Sequence, residues 1–287
     1  YFAELTRGQL LTNIKKEKVI FICLFLVAVI MPQTHPKTVF AQSQFDTKNN
    51  PIQIDAKEGI EWLSKEQLYI ARGSASARKG SFHIKSDVIK AHYRKTDNND
   101  AEIYRLEAIR KVIIENSGRI AYGDYGVYNL DTRVAVLKGK NLQLKTALET
   151  IKATKSLEYW DKKQLAVARG NAIAVRGKKT VRANTIAIRF AKTKDDLLSA
   201  QRMDAIGNVK ISTPNEVAMG DEDIYYVEKE LVRLLGNVKI TKGTSQLNGS
   251  IAEVNLKTGK SRLLSNAQLD GNTKVQGLFS RNPKQTK

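Results

Sequence analysis

The chain has 287 residues, with 48 Lys and Arg against 29 Asp and Glu, a formal net charge of +19 and a single cysteine, Cys23. One cysteine excludes an internal disulfide and a multi-thiolate metal site. The positive charge favours an anionic partner, but the cations are spread one or two per predicted strand, without a recognition helix, so nucleic acid is not expected as a partner.

Residues 1–41 have the layout of a secretory signal. Lysines precede 13 apolar residues at 19–31, and small-residue cleavage chemistry follows at Ala41. Thirteen helical residues span about 20 Å, less than the roughly 30 Å of a bilayer core. We therefore predict export with cleavage after Ala41, and an uncleaved membrane anchor is the alternative. Residues 1–12 begin at Tyr rather than Met, which indicates either that the true start is missing or that these residues are an upstream extension.

From residue 51 onward, apolar residues alternate with polar ones. Ile52 and Ile54 are two residues apart, as are Ile60 and Trp62, with polar or charged residues between them. A period of two predicts strands with one buried and one solvated face. Turn-like clusters recur between these segments, which is typical of an antiparallel meander. No segment has helical spacing, so the predicted fold class is all-β.

One phrase occurs twice, 97 residues apart. LYIARGSASARKG at 68–80 matches LAVARGNAIAVRG at 165–177, and residues 54–93 laid over 151–190 give 13 identities in 40 positions. A repeat unit that cannot close its own core must stack on its neighbour. The sequence therefore predicts two tandem units of about 97 residues in one elongated β-structure.

The predicted organisation places the first unit at 51–150 and the second at 151–264, with the start of an incomplete third unit at the end of the latter. Residues 265–287 are polar and basic and are expected to form a flexible tail. Within the first unit, Arg110-Lys111 stands where the second has Gly207-Asn208, so the sequence does not predict whether the first unit makes the same turn.

Several fragments resemble catalytic or metal sites. Residues 76–79 have Ser-x-x-Lys spacing and residues 257–259 read Lys-Thr-Gly, but the Ser-Asp-Asn motif between them is missing. His83 and His92 lack a third metal ligand. The acidic run at 221–223 is interpreted as a solvated strand edge. No catalytic residue, metal or cofactor is predicted.

The ordered series of motifs resembles the LptA/OstA family. NPIQIDAKEGIEWLSKEQLYIARGSASARKGSFHIKSDVIKAHY at 50–93 is similar to that family's opening, with Pro-Ile-x-Ile, an acidic residue, hairpins and an Ile-x-x-Asp strand. AYGDYGVYNLDTRVAVLKGKNLQLK at 121–145 resembles its second half. Typical members are shorter, so this chain carries nearly a doubled OstA-like unit.

This resemblance implies a β-jellyroll or β-taco, in which two antiparallel sheets form a twisted V that holds lipopolysaccharide acyl chains. It further implies a periplasmic, non-enzymatic protein that bridges an inner-membrane ABC exporter complex to an outer-membrane translocon. The implied partners are lipopolysaccharide through its lipid A, and transport proteins of the same fold joined by β-strand addition. Open sheet ends also predict a head-to-tail homo-oligomer.

An apolar groove and a basic rim are the predicted binding features, because buried acyl chains gain about 0.8 kcal/mol per CH₂. An ordinary filled core is the alternative for each groove residue. The predicted groove residues are Ile52, Ile54, Ile60, Trp62, Ile84, Ile89, Tyr93, Ile113, Ile114, Tyr128, Leu130, Tyr159, Ile186 and Phe190. The predicted phosphate-contacting rim residues are Arg72, Arg78, Lys79, Arg169 and Arg176.

Three other functions remain as alternatives. An uncleaved segment 19–31 would give a membrane-tethered, LptC-like partner of the exporter. A secreted β-helix or sandwich enzyme acting on acidic glycan would need a carboxylate cluster repeated on one face. A structural β-scaffold would need short uniform repeats without interior space.

Overall fold

The computed structural model describes residues 51–97, 100–116, 118–192, 198–255, 257–271 and 274–279, so the predicted signal segment lies outside the described residues. The first nine strands are β1 (Gln53–Asp55), β2 (Gly59–Leu63), β3 (Leu68–Lys79), β4 (Phe82–Lys95), β5 (Ala101–Asn116), β6 (Arg119–Asn129), β7 (Val134–Lys138), β8 (Leu142–Lys145) and β9 (Thr150–Ala153). The others are β10 (Ser156–Trp160), β11 (Leu165–Arg176), β12 (Lys179–Lys192), β13 (Leu198–Ser212), β14 (Glu216–Tyr226), β15 (Leu231–Lys242), β16 (Ser245–Asn255), β17 (Lys260–Leu264) and β18 (Gln276–Leu278). A 3₁₀ turn (Asp161–Lys163) and helix α1 (Ala267–Asp270) complete the described elements.

All these strands form one antiparallel sheet, in which each long strand pairs with the next in the sequence. Strand β6 pairs with both β7 and β8. Strand β7 then pairs with β10, and β8 pairs with β9. Strands β9 and β10 both pair with β11. The sheet begins with β1 and β2 on one edge of β3 and ends with β17 and β18 on β16. The two repeats therefore share one uninterrupted sheet.

The 97-residue repeat is a structural repeat as well. Strands β3 and β11 begin at Leu68 and Leu165, and β4 and β12 begin at Phe82 and Lys179. The prediction of an all-β chain built from two tandem units is confirmed. The predicted domain boundaries stay a prediction, because the sheet runs through residue 150 as the start of β9.

Alternate long strands of the described ladder carry a bulge near their middle. Pairs of residues with positive φ occur at Gly73-Ser74, Arg110-Lys111, Gly170-Asn171, Gly207-Asn208 and Gly236-Asn237. The strand register shifts at the same places. Residues in this left-handed region interrupt a pleated strand and turn its direction. We call this row of bends the corner.

The corner folds the sheet onto itself. Phe82 pairs with Asn116, which pairs with Arg119, and Tyr128 lies nine residues further along β6. A straight strand would separate Phe82 and Tyr128 by about 30 Å. Their ring centroids are 5.5 Å apart, so the two halves of each strand face each other as the arms of a V.

The arms are named by the short strands that extend them. Layer A holds β1, β8, β9 and β18 with the adjoining halves of the long strands, and layer B holds β2, β7, β10 and β17 with the other halves. The mouth is the rim opposite the corner, where the turns of the two layers approach each other.

Polar side chains from neighbouring strands support the corner. Asp221 accepts a hydrogen bond from Asn237 Nδ2 at 2.9 Å, and a Cβ on Gly236 would overlap the Asp221 carboxylate. In the first repeat, Asp87 lies 3.3 Å from Arg110 Nε and forms an ion pair with it. Arg110-Lys111 therefore makes the same bend as Gly207-Asn208, with ion pairs where the second repeat has a glycine.

A single apolar core fills the V through both repeats. Ala75, Ala108, Ala172 and Ala205, each close to the corner, are wholly buried. Small residues fit there because the two layers converge toward the corner. A second, smaller cluster lies on the other face of the sheet and comprises Leu63, Leu68, Ile70, Val88 and Ile109.

Candidate functional site

The apolar interior of the V is the candidate site, and most predicted groove residues lie on its surface. Ile84, Ile89, Tyr128 and Ile186 are buried members of the continuous core. Ile52, Ile54, Ile114 and Leu130 are partly buried and pack against it. The interior is filled by these side chains, so a ligand has to enter by displacing them or by parting the layers at the mouth.

Aromatic side chains crowd the first end of the sheet. Trp62 Nε1 donates a hydrogen bond to the Tyr93 hydroxyl at 2.8 Å, and Tyr69 packs between the two rings. Tyr93 is buried, whereas Trp62 is 65% and Ile60 49% exposed. Within the described chain β2 pairs only with β3, so no further strand extends the sheet to cover these side chains.

Two tyrosines line the mouth on the layer B side. Burial raises the pKa of Tyr128 and of Tyr159 to about 12, with the nearby Asp161 carboxylate adding to both shifts. The Tyr159 hydroxyl donates to Gln164 Oε1 at 3.3 Å. Phe190 is partly buried near the end of β12, where it pairs with Ala200. Both phenols are therefore neutral in the physiological pH range.

The prediction for Ile113 needs correction. Val112 and Ile114 lie on the core side of β5, and successive side chains of a strand point to opposite faces. Ile113 therefore lies on the outer face and does not border the interior.

The predicted basic rim divides into two groups. Arg72 and Arg169 lie beside the corner on the outer face, where they form ion pairs with Glu61 at 3.3 Å and Glu158 at 2.9 Å. Their prediction as rim residues is wrong, because the corner is the closed side of the V.

The other predicted cations lie at the mouth end of layer A. Arg78 is on the outer face, where its Nε donates to His83 Nε2 at 3.3 Å. Lys79 and Arg176 have the same parity along their strands as the core residues Ala77 and Ala174, so they point toward the interior. These two residues retain the predicted position at the rim.

A cavity of about 40 Å³ opens at this mouth in the second repeat. Its apolar walls come from both layers and include Ile151, Val181, Ile188, Met203 and Ile211. Charged residues at its opening are Glu149, Arg176 and Lys179. The Glu149 carboxylate is 3.8 Å from Arg176, and burial raises its pKa more than Arg176 lowers it. Burial, aided by Arg176, lowers the pKa of Lys179.

Asp223 is a functional candidate that the sequence analysis missed. Its side chain is fully buried, and neither carboxylate oxygen has a hydrogen-bond partner among the described residues. Burial, reinforced by the Asp204 charge, raises its pKa to about 7. The prediction of a solvated edge is therefore wrong here. Asp223 shares the parity of the core residue Tyr225, and this signal was available in the sequence.

The fragments that resemble enzyme sites are not brought together. Ser76 lies in β3, near the first end of the sheet, and residues 257–259 lie beside β17 at the other end. His83 and His92 both lie on β4, near Glu115 at 3.4 Å and Glu107 at 3.2 Å respectively. Burial lowers the pKa of His83, aided by Arg78.

The described residues form neither a metal-binding cluster nor a membrane-spanning helix. Within the described ranges, no group of three or more His, Cys, Asp or Glu side chains is arranged to hold a metal ion. In the same part of the chain, no helix combines the length and apolarity needed to cross a bilayer.

Comparisons with known proteins give one family match in the second repeat. Residues 150–260 match the family model described as LptA/(LptD N-terminal domain) LPS transport protein. A protein of Rhizobium meliloti (strain 1021), described as uncharacterized, is 26% identical over 102 residues, which cover 34% of this chain and 54% of the relative. The chain thus spans about half the length of this curated relative.

One solved structure with a related description is LptH of Pseudomonas aeruginosa, the LptA homologous periplasmic component of a lipopolysaccharide transport device. It is 15% identical with a TM-score of 0.40, and the match covers 46% of this chain and 95% of that one.

Proposed function

Because residues 150–260 match the model of the LptA and LptD N-terminal domain family of lipopolysaccharide transport proteins, we propose that this protein binds lipopolysaccharide in the periplasm and passes it between the two membranes. The acyl chains lie between layers A and B, and the lipid A phosphates lie near the cations of the mouth. The function is binding and transfer, without a catalytic step.

The observation that carries this proposal is the continuity of the apolar interior. One core cluster extends from Ala71 in β3 to Val254 in β16, through both repeats. An acyl chain of 12 carbons gains about 10 kcal/mol on leaving water, at about 0.8 kcal/mol per CH₂. This gain is available at every position along the V, so cargo shifts lengthwise without a specific site to hold it.

The two ends of the sheet support docking to partners of the same fold. Strands β1 and β2 pair only with β3 in the described chain, and β17 and β18 pair only with β16, so the outer edges of all four are unpaired. Exposed apolar side chains lie beside these edges, including Trp62 at one end and Leu278 and Phe279 at the other. Strand addition satisfies the free backbone groups and covers these side chains.

Lipid analysis tests the binding proposal directly. The full chain, expressed with its own N-terminal segment in a Gram-negative host, is recovered from the periplasmic fraction, and bound lipid is identified by mass spectrometry. We expect co-purified lipid A and saturable binding of added lipopolysaccharide. The matched control is the deacylated polysaccharide, which should not bind. A protein without lipid A that also fails to bind lipopolysaccharide contradicts the proposal.

Site-specific crosslinking tests the docking proposal. A photoreactive amino acid replaces Trp62 or Phe279, and in the control it replaces the exposed Arg189 of β12. Adducts with same-fold transport proteins or with a second copy are expected from the two end positions only. Equal adducts from Arg189 argue against docking through the ends.

The N-terminal mass of the recovered protein tests the location. A mass that begins at Gln42 supports cleavage after Ala41 and a soluble carrier. A mass that retains residues 19–31, in the membrane fraction, supports the tethered alternative.

A further inference from the structure

The two repeats differ at the mouth of the V. Phe82 begins β4 in the first repeat, and Lys179 begins β12 at the matched position 97 residues later. Ile52 precedes β1, and Glu149 precedes β9 at the same offset. Two apolar residues of the first mouth are therefore replaced by a base and an acid in the second.

Phe82 closes the first mouth. Its side chain is 6% exposed, and its ring lies 5.5 Å from that of Tyr128, which belongs to the opposite layer. The two rings are tilted by 37° to each other, and their contact joins layers A and B at the rim. Opening the first mouth requires this aromatic pair to separate.

The matched place in the second repeat holds the cavity of about 40 Å³. A cavity needs about 10–15 Å³ to admit one water-sized group, so this volume accommodates roughly three such groups. Met203 and Ile188 form its layer B wall. Because methionine is unbranched and adaptable, movement of Met203 extends the space toward the core.

The chemistry of the opening selects the occupant. Seven apolar residues line the space, whereas Arg176 and Lys179 lie at its entrance. Glu149 balances part of this charge from 3.8 Å, which leaves two cations against one carboxylate. An alkyl chain fits the walls, and an anionic head group fits the entrance.

We infer that the second repeat is the loading point of the V: it admits one acyl chain of an anionic lipid at Lys179 and Arg176, while the first repeat is closed by Phe82. This inference rests on the proposed lipid-binding function and adds the place of entry. Cargo enters between β9, β11, β12 and β13 and reaches the first repeat from inside.

Exchange of the two matched residues provides the test. Native mass spectrometry and calorimetry count myristate bound per chain, after removal of endogenous lipid. We expect one tightly bound myristate on the wild type and at least tenfold weaker binding to Lys179→Phe. Phe82→Lys should bind a second myristate, because it opens the first mouth. Circular dichroism verifies that each variant is folded.

Two further variants separate charge from space. Lys179→Met keeps the opening but removes the cation. Its affinity for myristate should therefore fall to its affinity for the uncharged myristyl alcohol. Lys178→Met, in the adjacent turn, should bind myristate as the wild type does. If Lys179→Phe and the wild type bind myristate with equal stoichiometry and affinity, the inference is wrong, even if Phe82→Lys fails to fold.

Lipopolysaccharide binding by the same proteins distinguishes this result from the parent proposal. If the wild type binds lipopolysaccharide and Lys179→Phe binds it at the same association rate, the loading point is wrong and the function stands. If the wild type binds myristate at Lys179 but no lipopolysaccharide, the entrance stands and the lipopolysaccharide assignment is wrong.

Discussion

Asp223 makes the stability of the second repeat depend on pH. Burial raises the pKa of this carboxyl from its ordinary value of 3.8 to about 7. The folded protein therefore holds a proton that the unfolded chain releases between pH 3.8 and 7. Stability is greatest below pH 3.8 as far as this group is concerned, and it falls as pH rises through 7.

The expected size follows from the shift of about 3 pKa units, each equivalent to about 1.4 kcal/mol. Asp223 alone should lower the free energy of unfolding by about 4 kcal/mol between pH 4 and pH 8. Other groups act in the opposite direction. A hydrogen bond from Lys85 lowers the pKa of Glu115, and hydrogen bonds from Ser156 and Arg169 outweigh burial and lower that of Glu158. The contribution of Asp223 is therefore isolated as a difference between proteins.

The variant that isolates it is Asp223→Asn, which keeps the shape of the side chain but does not titrate. Urea unfolding at each pH from 4 to 8 should show the variant gaining about 4 kcal/mol relative to the wild type as pH rises. Glu222→Gln removes an exposed carboxyl of the same strand and serves as the control. If the difference in unfolding free energy between Asp223→Asn and wild type stays constant with pH, the raised pKa of Asp223 is refuted.

The corner and its packing give three further predictions, each measured as the change in urea unfolding free energy. Arg110→Gly should stabilise by about 0.5–1 kcal/mol, because φ +64° is strained for a side-chain residue and the exposed pair with Asp87 contributes little; destabilisation beyond 1 kcal/mol contradicts this. Gly236→Ala should cost about 2 kcal/mol, since φ is +70° and the new Cβ overlaps Asp221; an unchanged midpoint contradicts the bend. Gly123→Ala should cost about 1–3 kcal/mol, because its Cβ would lie 2.6 Å from Leu137 Cγ. Gly118→Ala is the control: its Cβ would meet open space but its φ is +76°, so it measures backbone strain without crowding.

The sequence predicted which residues line the interior where the alternation of inward and outward side chains is unambiguous. Ile52 and Ile54, or Tyr128 and Leu130, are two apart and reach the same core. Ile113 was misplaced because a shift of one residue moves a side chain to the other face. Arg169 and Arg176 are seven residues apart, and this odd spacing alone places them on opposite faces of β11.

The sequence by itself determined the strands, their antiparallel order and the doubling of the unit. Alternation of apolar residues is a local property, and a repeat offset of 97 residues is visible in the letters alone. These features depend on backbone geometry and turn chemistry, which neighbouring residues specify.

Only the tertiary structure decided which faces meet. Ile84 and Ile89 are five residues apart, an odd spacing that would place them on opposite faces of a straight strand, yet both are in the core. The register shift between Lys85 and Val88 reverses the parity across the corner. Folding the sheet at that corner also brings Phe82 onto Tyr128 and buries Asp223, because contacts between the arms of a V depend on where it bends.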